Sequence, residues 1–258
     1  MFIQTYRILP MRALMTMLAV VAVAQSVLAA ATAAEVSVAV AANFTRPAEE
    51  LGAAFTARTG DRVVFSFGAT GGLYAQISQG APFEVLLAAD AVRPGLAVSE
   101  GLGVPGSVFT YAVGRLALYG PQADLGDGAA VLRGGAFRYL AIAQPKSAPY
   151  GAAALETLAA LGLIEALTPK LVTGESISQT LQFVDSGNAE LGFVALSQVI
   201  DKPATRVWRV PGAFYQPIAQ DAVLLETGAD NPVAQAFLDF LKSAEGKAII
   251  ARYGYETD

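Results

Sequence analysis

The amino-acid sequence predicts an α/β protein with two lobes, and three observations lead to this fold class. Between residues 36 and 90, strand-like apolar runs alternate with helix-like segments in the order β-α-β-α-β, which is typical of a parallel sheet with helices on both faces. Two longer runs, 109–119 and 215–226, have the length to pass from one lobe to the other and back. The chain has 258 residues, 54% of them hydrophobic, which is enough for one large or two medium-sized cores.

The elements of the first lobe follow from local patterns. Residues 36–40 and 63–67 alternate as expected of strands, and residues 83–90 form a continuous apolar run that predicts a buried strand ending in an acid. A helix is expected after the first strand, with Thr45 as its N-cap and Pro47 in its first turn. A second helix is expected between the second and third strands.

The second lobe shows the same alternation between the two crossing runs. Two more helices close the chain and are assigned to the first lobe. We therefore expect lobe I to comprise residues 35–112 and 217–258, and lobe II to comprise residues 113–216. The predicted strands of lobe II are 139–143, 171–172, 191–195 and 207–210, and its predicted helices are 129–132, 152–161 and 179–186.

The composition excludes several classes of function. The chain contains no Cys and no His, which excludes zinc sites built from these residues and catalysis by Ser-His-Asp or Cys-His nucleophiles. Only 15% of the residues are charged and the formal net charge is −5, so a basic surface for nucleic acid is not expected. Enzymes that use paired carboxylates or a Ser-Lys pair stay open as alternatives.

Residues 1–34 have the pattern of a cleavable secretory signal peptide. Two arginines precede an apolar run at 13–28, and small residues follow it. Cleavage is expected after Ala33 or Ala34, and the alternative is an uncleaved membrane anchor. Because the sequence has no Cys, a lipid-modified cysteine is excluded. We therefore expect a free protein of the periplasm.

A glycine-rich turn around Thr70 is the first candidate for a binding site. The strand 63–67 leads into Gly68-Ala69-Thr70-Gly71-Gly72, and a helix-like segment follows. Thr70 is expected to cap this helix. The first N–H groups of a helix have no intrahelical acceptors, and the helix dipole adds positive potential there, so the turn could seat an anion. The alternative is an ordinary glycine-rich turn with a structural cap.

Four turns of the chain share this design, since each follows a predicted strand, precedes a predicted helix and carries small or hydroxyl residues. In open α/β sheets, ligands bind at the carboxyl ends of the strands. Two such lobes placed face to face would point four helix N-termini into one cleft, which favours an anion held by neutral dipoles. The turns are Ala42-Asn43, Ala69-Thr70, Pro149-Tyr150-Gly151 and Ser176-Ile177-Ser178.

With these motifs the chain resembles the periplasmic molybdate-binding proteins of ABC importers. The resemblance extends over nearly all of the chain that follows the signal peptide. It rests on Ala41-Ala42-Asn43-Phe44, Phe67-Gly68-Ala69-Thr70-Gly71, Gly80-Ala81-Pro82-Phe83-Glu84-Val85 with Ala88-Ala89-Asp90, Ala148-Pro149-Tyr150-Gly151, Leu191-Gly192-Phe193-Val194-Ala195 and the tail 249–255.

The resemblance implies a type II periplasmic binding fold, in which two α/β lobes are joined by two crossing strands and the ligand lies in the cleft between them. It places Asn43, Thr70, Tyr150 and Ile177 at the oxyanion, with the N–H of Ala42 as a further donor. Tyr150 is expected to bind through either its hydroxyl or its N–H. Backbone N–H groups and hydroxyl or amide side chains are expected to hold the anion, without Arg or Lys.

The resemblance also implies the ligand and the partners. The ligand is expected to be molybdate, and also tungstate, delivered to an ABC permease in the inner membrane. No cofactor, no side chain that ligates a metal directly and no nucleic acid are expected, and the protein is expected to be a monomer. The nearest alternative is a receptor for another oxyanion, such as sulfate, or for an organic acid.

A secreted hydrolase that uses two carboxylates is the alternative from another class of function. Glu84 and Asp90 lie on one face of the predicted strand 83–90. The strand rise places them about 20 Å apart, which is too far for a glycosidase pair. Asp90 is therefore interpreted as a residue that positions a loop.

Overall fold

The computed structural model describes residues 1–2 and 33–257 of the chain. The predicted signal peptide falls almost entirely on residues outside this part. The first strand begins at Glu35, directly after the predicted cleavage site. No helix in the described part of the chain combines the length and the apolar character needed to cross a membrane.

A five-stranded sheet lies at the centre of the first lobe. Its strands are β1 (Glu35–Ala41), β2 (Arg62–Gly68), β3 (Val85–Leu87), β4 (Phe109–Gly114) and β10 (Ile218–Leu224), with elements numbered along the chain. The order across the sheet is β2-β1-β3-β10-β4. The first three strands run parallel, whereas β10 is antiparallel to both of its neighbours.

Helices cover both faces of this sheet, as the sequence pattern predicts. They are α1 (Thr45–Thr59), α2 (Thr70–Ser78), α3 (Val92–Ser99), α9 (Pro232–Lys242) and α10 (Ala244–Arg252). Side chains of β1 alternate between the two faces, so Val38 packs in the core under α1 and α9, and Ala39 packs in the core under α2 and α3. Because the central strands are buried on both faces, their sequences are largely apolar.

A second five-stranded sheet forms the other lobe. Its strands are β5 (Leu116–Tyr119), β6 (Leu140–Ala143), β7 (Leu171–Gly174), β8 (Leu191–Ala195) and β9 (Val207–Arg209), in the order β7-β6-β8-β5-β9. β6 is parallel to β7 and β8, and β5 is antiparallel to β8 and β9. The helices of this lobe are α4 (Gly128–Gly134), α5 (Pro149–Ala160), α6 (Ile164–Leu167), α7 (Ile177–Asp185) and α8 (Leu196–Val199).

The chain crosses between the two sheets twice. The run 109–119 is divided at Arg115 into β4 of the first sheet and β5 of the second, and the chain returns to the first sheet with β10. Gly114 stands at the first crossing, where a Cβ atom would lie 2.2 Å from the hydroxyl oxygen of Tyr150. Only glycine leaves room there for this close approach of the tyrosine from the second lobe.

The start of α1 and the extent of β3 differ from the prediction. Thr45 is not an N-cap, because residues 42–44 form a short 3₁₀ turn that leads directly into α1. The Thr45 hydroxyl instead donates to the carbonyl oxygen of Ala42, at 2.9 Å. The strand predicted over 83–90 is only Val85–Leu87. The N–H of Ala88 still donates to the carbonyl oxygen of Asp221, but the N–H of Ala89 donates to Thr70, so the apolar run reflects burial beyond the strand.

Helix α3 lacks a clear signal in the sequence, because Pro94 and Gly95 interrupt its pattern. Pro94 is its third residue. An N–H at this position would have no acceptor within the helix, so the missing N–H of proline costs no hydrogen bond. Two predicted helices also begin earlier than expected, at Pro149 and at Ile177. This shift matters for the binding site, because it places Tyr150 and Ile177 within the first turns of their helices rather than before them.

Candidate functional site

The four predicted turns meet at one small cavity between the two sheets. All five residues proposed from the sequence line it, together with neighbouring small residues. Its volume is about 10 Å³, which is room for about one water molecule. The lining residues are Ala41, Ala42, Asn43, Gly68, Ala69, Thr70, Ala89, Ala148, Pro149, Tyr150 and Ile177.

Three helices begin with residues that line this cavity. Thr70 and Ile177 are the first residues of α2 and α7, and Tyr150 is the second residue of α5. N–H groups at these positions have no acceptor within their own helix, and the helix dipoles make the potential positive there. No Lys or Arg side chain is among the described residues that line the cavity. The cavity is therefore suited to an anion without containing a cation.

Thr70 supplies a fixed hydroxyl. It is not the N-cap of α2, as the sequence suggested, because Ala69 occupies that position with an extended backbone. The Thr70 hydroxyl oxygen instead accepts a hydrogen bond from the N–H of Ala89, at 3.0 Å. This bond uses an oxygen lone pair and leaves the hydroxyl proton available for donation. The side chain is 1% exposed and borders the cavity, so a bound anion would be an acceptor within its reach.

Asn43 directs its side-chain amide away from the cavity. Its Nδ2 donates to Gln220 Oε1 and to the hydroxyl oxygen of Tyr255, both at 2.9 Å. An amide NH₂ has only two hydrogens, so both are used by these partners. The side-chain amide of Asn43 therefore has no hydrogen left for a ligand in the cavity.

Tyr150 also turns its hydroxyl away from the cavity. Gln220 Nε2 donates to this hydroxyl oxygen, at 3.1 Å. Burial, reinforced by Tyr255, raises the pKa of Tyr150 well above its ordinary value, so the hydroxyl stays protonated. Of the two binding modes that the sequence left open for Tyr150, this geometry favours the N–H.

Gln220 and Tyr255 were not identified from the sequence as parts of the site. Gln220 is a fully buried polar residue of β10, where Asp221 follows it, and polar residues within a predicted strand were the available signal. Tyr255 is one of several aromatic residues near the end of the chain, and its partners lie far away in the sequence. Their hydroxyl and amide groups connect Asn43 and Tyr150 behind the cavity.

The loop that precedes α5 is bound by two donors from the opposite lobe. The N–H of Gly71 donates to the carbonyl oxygen of Ser147, at 2.9 Å. Arg93 Nη2 donates to the carbonyl oxygen of Lys146, at 3.0 Å. Asp90 orients Arg93 through an ion pair of 2.7 Å and also accepts from the Arg93 N–H, at 2.8 Å. These contacts hold the two lobes together beside the cavity.

The carboxylates considered for a hydrolase have separate structural partners. Glu84 accepts hydrogen bonds from the N–H of Ser37, at 2.8 Å, and from Asn231 Nδ2, at 2.7 Å. Asp90 is paired with Arg93. Neither carboxylate lines the small cavity. The geometry therefore gives no support to a carboxylate-dependent hydrolase.

Comparison with known proteins relates this chain to solute-binding proteins. The model of the family described as bacterial extracellular solute-binding protein matches residues 36–256. The chain is 57% identical to molybdate-binding protein ModA of Rhodobacter capsulatus, over 88% of this chain and 90% of the relative. It is 55% identical to molybdate-binding protein ModA of Azotobacter vinelandii, over 92% of this chain and 96% of the relative.

A solved structure agrees with the sequence relatives. The structure of the Azotobacter vinelandii periplasmic molybdate-binding protein matches with a TM-score of 0.83 and 38% identity, over 86% of this chain and 99% of that chain. The predicted type II periplasmic binding fold is thereby confirmed. These relatives are substrate-binding proteins of transport and not enzymes. The chain belongs to the bacterial extracellular solute-binding proteins and, among them, to the ModA family of periplasmic molybdate-binding proteins.

Proposed function

We propose that this protein captures molybdate in the cavity between its two lobes and delivers it to the permease of an ABC transporter. The observation that carries the proposal is the convergence of three helix N-termini and the Thr70 hydroxyl on one cavity, whose described lining has no cationic side chain. In this family molybdate is the transported ligand and not a cofactor.

The chemistry of the cavity matches a tetrahedral dianion. Molybdate offers only hydrogen-bond acceptors, so its site needs only donors. The proposed donors are the N–H groups of Asn43, Thr70, Tyr150 and Ile177 and the hydroxyl of Thr70, with the N–H of Ala42 as a further donor. A hydrogen bond to a charged partner contributes roughly 1.5–3 kcal/mol, so five contribute on the order of 10 kcal/mol. After the costs of association, micromolar to nanomolar affinity follows.

Tungstate has the same charge and shape, so we propose that it binds as well. An oxyanion is larger than one water molecule, so the residues that line the cavity must shift slightly to hold it. We propose residues 35–112 with 217–258 and residues 113–216 as the two lobes that close on the ligand. We further propose that the protein acts as a monomer and that its permease lies in the inner membrane.

A thermal-shift assay of the ligand-free protein against several oxyanions tests this function. We expect molybdate and tungstate to raise the melting temperature, whereas sulfate and phosphate at equal concentration leave it nearly unchanged. At a hundredfold excess over Kd, binding stabilises by about 2.7 kcal/mol, which is roughly 5–10 °C for a domain of this size. A larger shift with sulfate would favour the alternative of a receptor for another oxyanion.

Export is tested through the N-terminus of the mature protein. Because an apolar run and small residues follow the two arginines, we expect the periplasmic protein to begin at Ala34 or Glu35. N-terminal sequencing of material from the periplasmic fraction measures this directly. Periplasmic protein that begins at Met1 would contradict the prediction, and so would protein that stays with the membrane fraction.

A further inference from the structure

Tyr255 lies at the end of the chain and contacts residues of both lobes. Its hydroxyl donates to the carbonyl oxygen of Asn43, at 2.9 Å, and accepts from Asn43 Nδ2, at 2.9 Å. The hydroxyl oxygen of Ser197, from α8 of the second lobe, lies 2.9 Å from both the Tyr255 hydroxyl and the Asn43 carbonyl oxygen. Tyr255 therefore binds both the backbone carbonyl and the side-chain amide of Asn43, and it also contacts the opposite lobe.

The same network reaches Tyr150 through the crossing strand β10. Gln220 Oε1 accepts from Asn43 Nδ2 and from the hydroxyl of Tyr111, at 2.9 Å and 3.1 Å. Gln220 Nε2 donates to the hydroxyl of Tyr150, at 3.1 Å. Gln220 thus orients both Asn43 and Tyr150, which line the cavity from different lobes.

The network is buried and its hydrogen bonds are satisfied. Asn43, Tyr150, Gln220 and Tyr255 are each at most 5% exposed. In the described part of the chain, no buried side-chain nitrogen or oxygen lacks a hydrogen-bond partner. Burial raises the pKa of Tyr255 to about 12, so its hydroxyl remains a donor at neutral pH. Satisfied buried networks are rigid, because each group would lose a partner if it moved.

We propose that Tyr255 is a positioning residue of the anion site, which holds the Asn43 N–H in its binding orientation and ties it to Ser197 of the other lobe. This inference rests on the proposed function. It gives the last residues of the chain a role in ligand binding, although Tyr255 does not line the cavity.

Tyr255→Phe tests the proposal, because it removes the hydroxyl and retains the ring. The ring packs edge-on against Phe44, and backbone bonds of 2.8 and 3.1 Å between Val113 and Glu256 keep the tail in place. We expect molybdate affinity to fall by about threefold to tenfold, the effect of losing a neutral hydrogen bond that orients a donor. The change should arise mainly from faster dissociation, which rapid mixing with molybdate measures.

Tyr253→Phe is the matched control. It removes a tyrosine hydroxyl two residues earlier, which donates to Glu50 at 2.7 Å outside the network. We expect this variant to bind molybdate like the unchanged protein. Melting of the ligand-free variants is measured separately, since a purely structural hydroxyl would lower the melting temperature and leave the affinity of the folded protein unchanged.

The outcomes distinguish this inference from the proposed function. If the unchanged protein does not bind molybdate, the proposed function fails. If it binds and Tyr255→Phe matches Tyr253→Phe in affinity, the positioning role of Tyr255 is overturned. Ser197→Ala removes the contact of Tyr255 with α8 together with the hydrogen bond from the Ser197 hydroxyl to the Asn43 carbonyl oxygen, and it leaves the Tyr255 hydroxyl in place. Should Tyr255→Phe not fold, weaker binding by Ser197→Ala supports the proposal, and unchanged binding overturns it.

Discussion

Thr70→Ala is expected to weaken molybdate binding by about tenfold to a hundredfold. The proposed site uses both the N–H and the hydroxyl of Thr70, and alanine keeps only the N–H. Losing a hydrogen bond to a charged ligand costs roughly 1.5–3 kcal/mol, which corresponds to this change in Kd. Titration calorimetry of the folded variant with molybdate measures the loss.

The stability of the ligand-free variant should fall for a different reason. The Thr70 hydroxyl is the acceptor for the buried N–H of Ala89, and a buried donor without a partner costs about 1–3 kcal/mol. The sequence predicted that Thr70 caps α2, but Ala69 is the N-cap, so the loss does not come from a helix cap.

Two matched variants separate the contributions of Thr70. Thr70→Ser keeps the hydroxyl and should retain most of the affinity. Thr70→Val keeps the shape, removes the hydroxyl and should bind as weakly as Thr70→Ala. If Thr70→Val melts at a lower temperature but binds molybdate as tightly as the unchanged protein, the hydroxyl serves only Ala89, and Thr70 contributes no more than its N–H.

The positions of the candidate site residues could be predicted because the relevant signal is local. A strand, a turn of small residues and a helix follow one another within a few residues around Thr70 and around Tyr150. In an α/β lobe, these turns lie at the carboxyl ends of the strands. The separate turns therefore indicated one cleft, and the resemblance to molybdate-binding proteins assigned the individual residues to it.

The directions of the side chains could not be predicted in this way. Asn43 binds Gln220 and Tyr255, which are 177 and 212 positions away in the sequence. Tyr150 binds Gln220 across 70 positions. The contacts with Gln220 arise because β10 returns from the second lobe between β3 and β4. The contact with Tyr255 arises because the tail pairs with β4 through Val113 and Glu256. A polar residue in a turn looks like a ligand-binding residue until such distant partners are known.

The ends of the elements were also poorly determined by the sequence. The apolar run 83–90 predicts a long strand, yet β3 comprises only Val85–Leu87. Ala88 is buried in the core and Ala89 is buried beside the cavity, where its N–H donates to Thr70 and not to a neighbouring strand. Apolar character reports burial, and burial near a binding site has causes other than secondary structure.

Closure of the lobes should depend on Gly71 and not on Gly72. Both residues lie in the first turn of α2. A Cβ atom at Gly71 would lie 3.0 Å from the Cα of Ser147 and 3.2 Å from its Cβ, whereas a Cβ at Gly72 would meet nothing within 4 Å. Alanine at position 71 would therefore contact the opposite lobe, whereas alanine at position 72 of the same helix would not.

We expect Gly71→Ala to weaken molybdate binding by about fivefold to a hundredfold, the effect of a clash that costs 1–3 kcal/mol. The loop at Ser147 must move away, and it leads directly into Pro149 and Tyr150, whose N–H is a proposed donor. Gly72→Ala should bind normally and melt slightly higher, because alanine favours helix by about 1 kcal/mol. Calorimetry gives both affinities, and small-angle scattering with molybdate reports whether each variant closes. Equal affinity and equal compaction in the two variants would show that contact between Gly71 and Ser147 is not required for the closed, ligand-bound state.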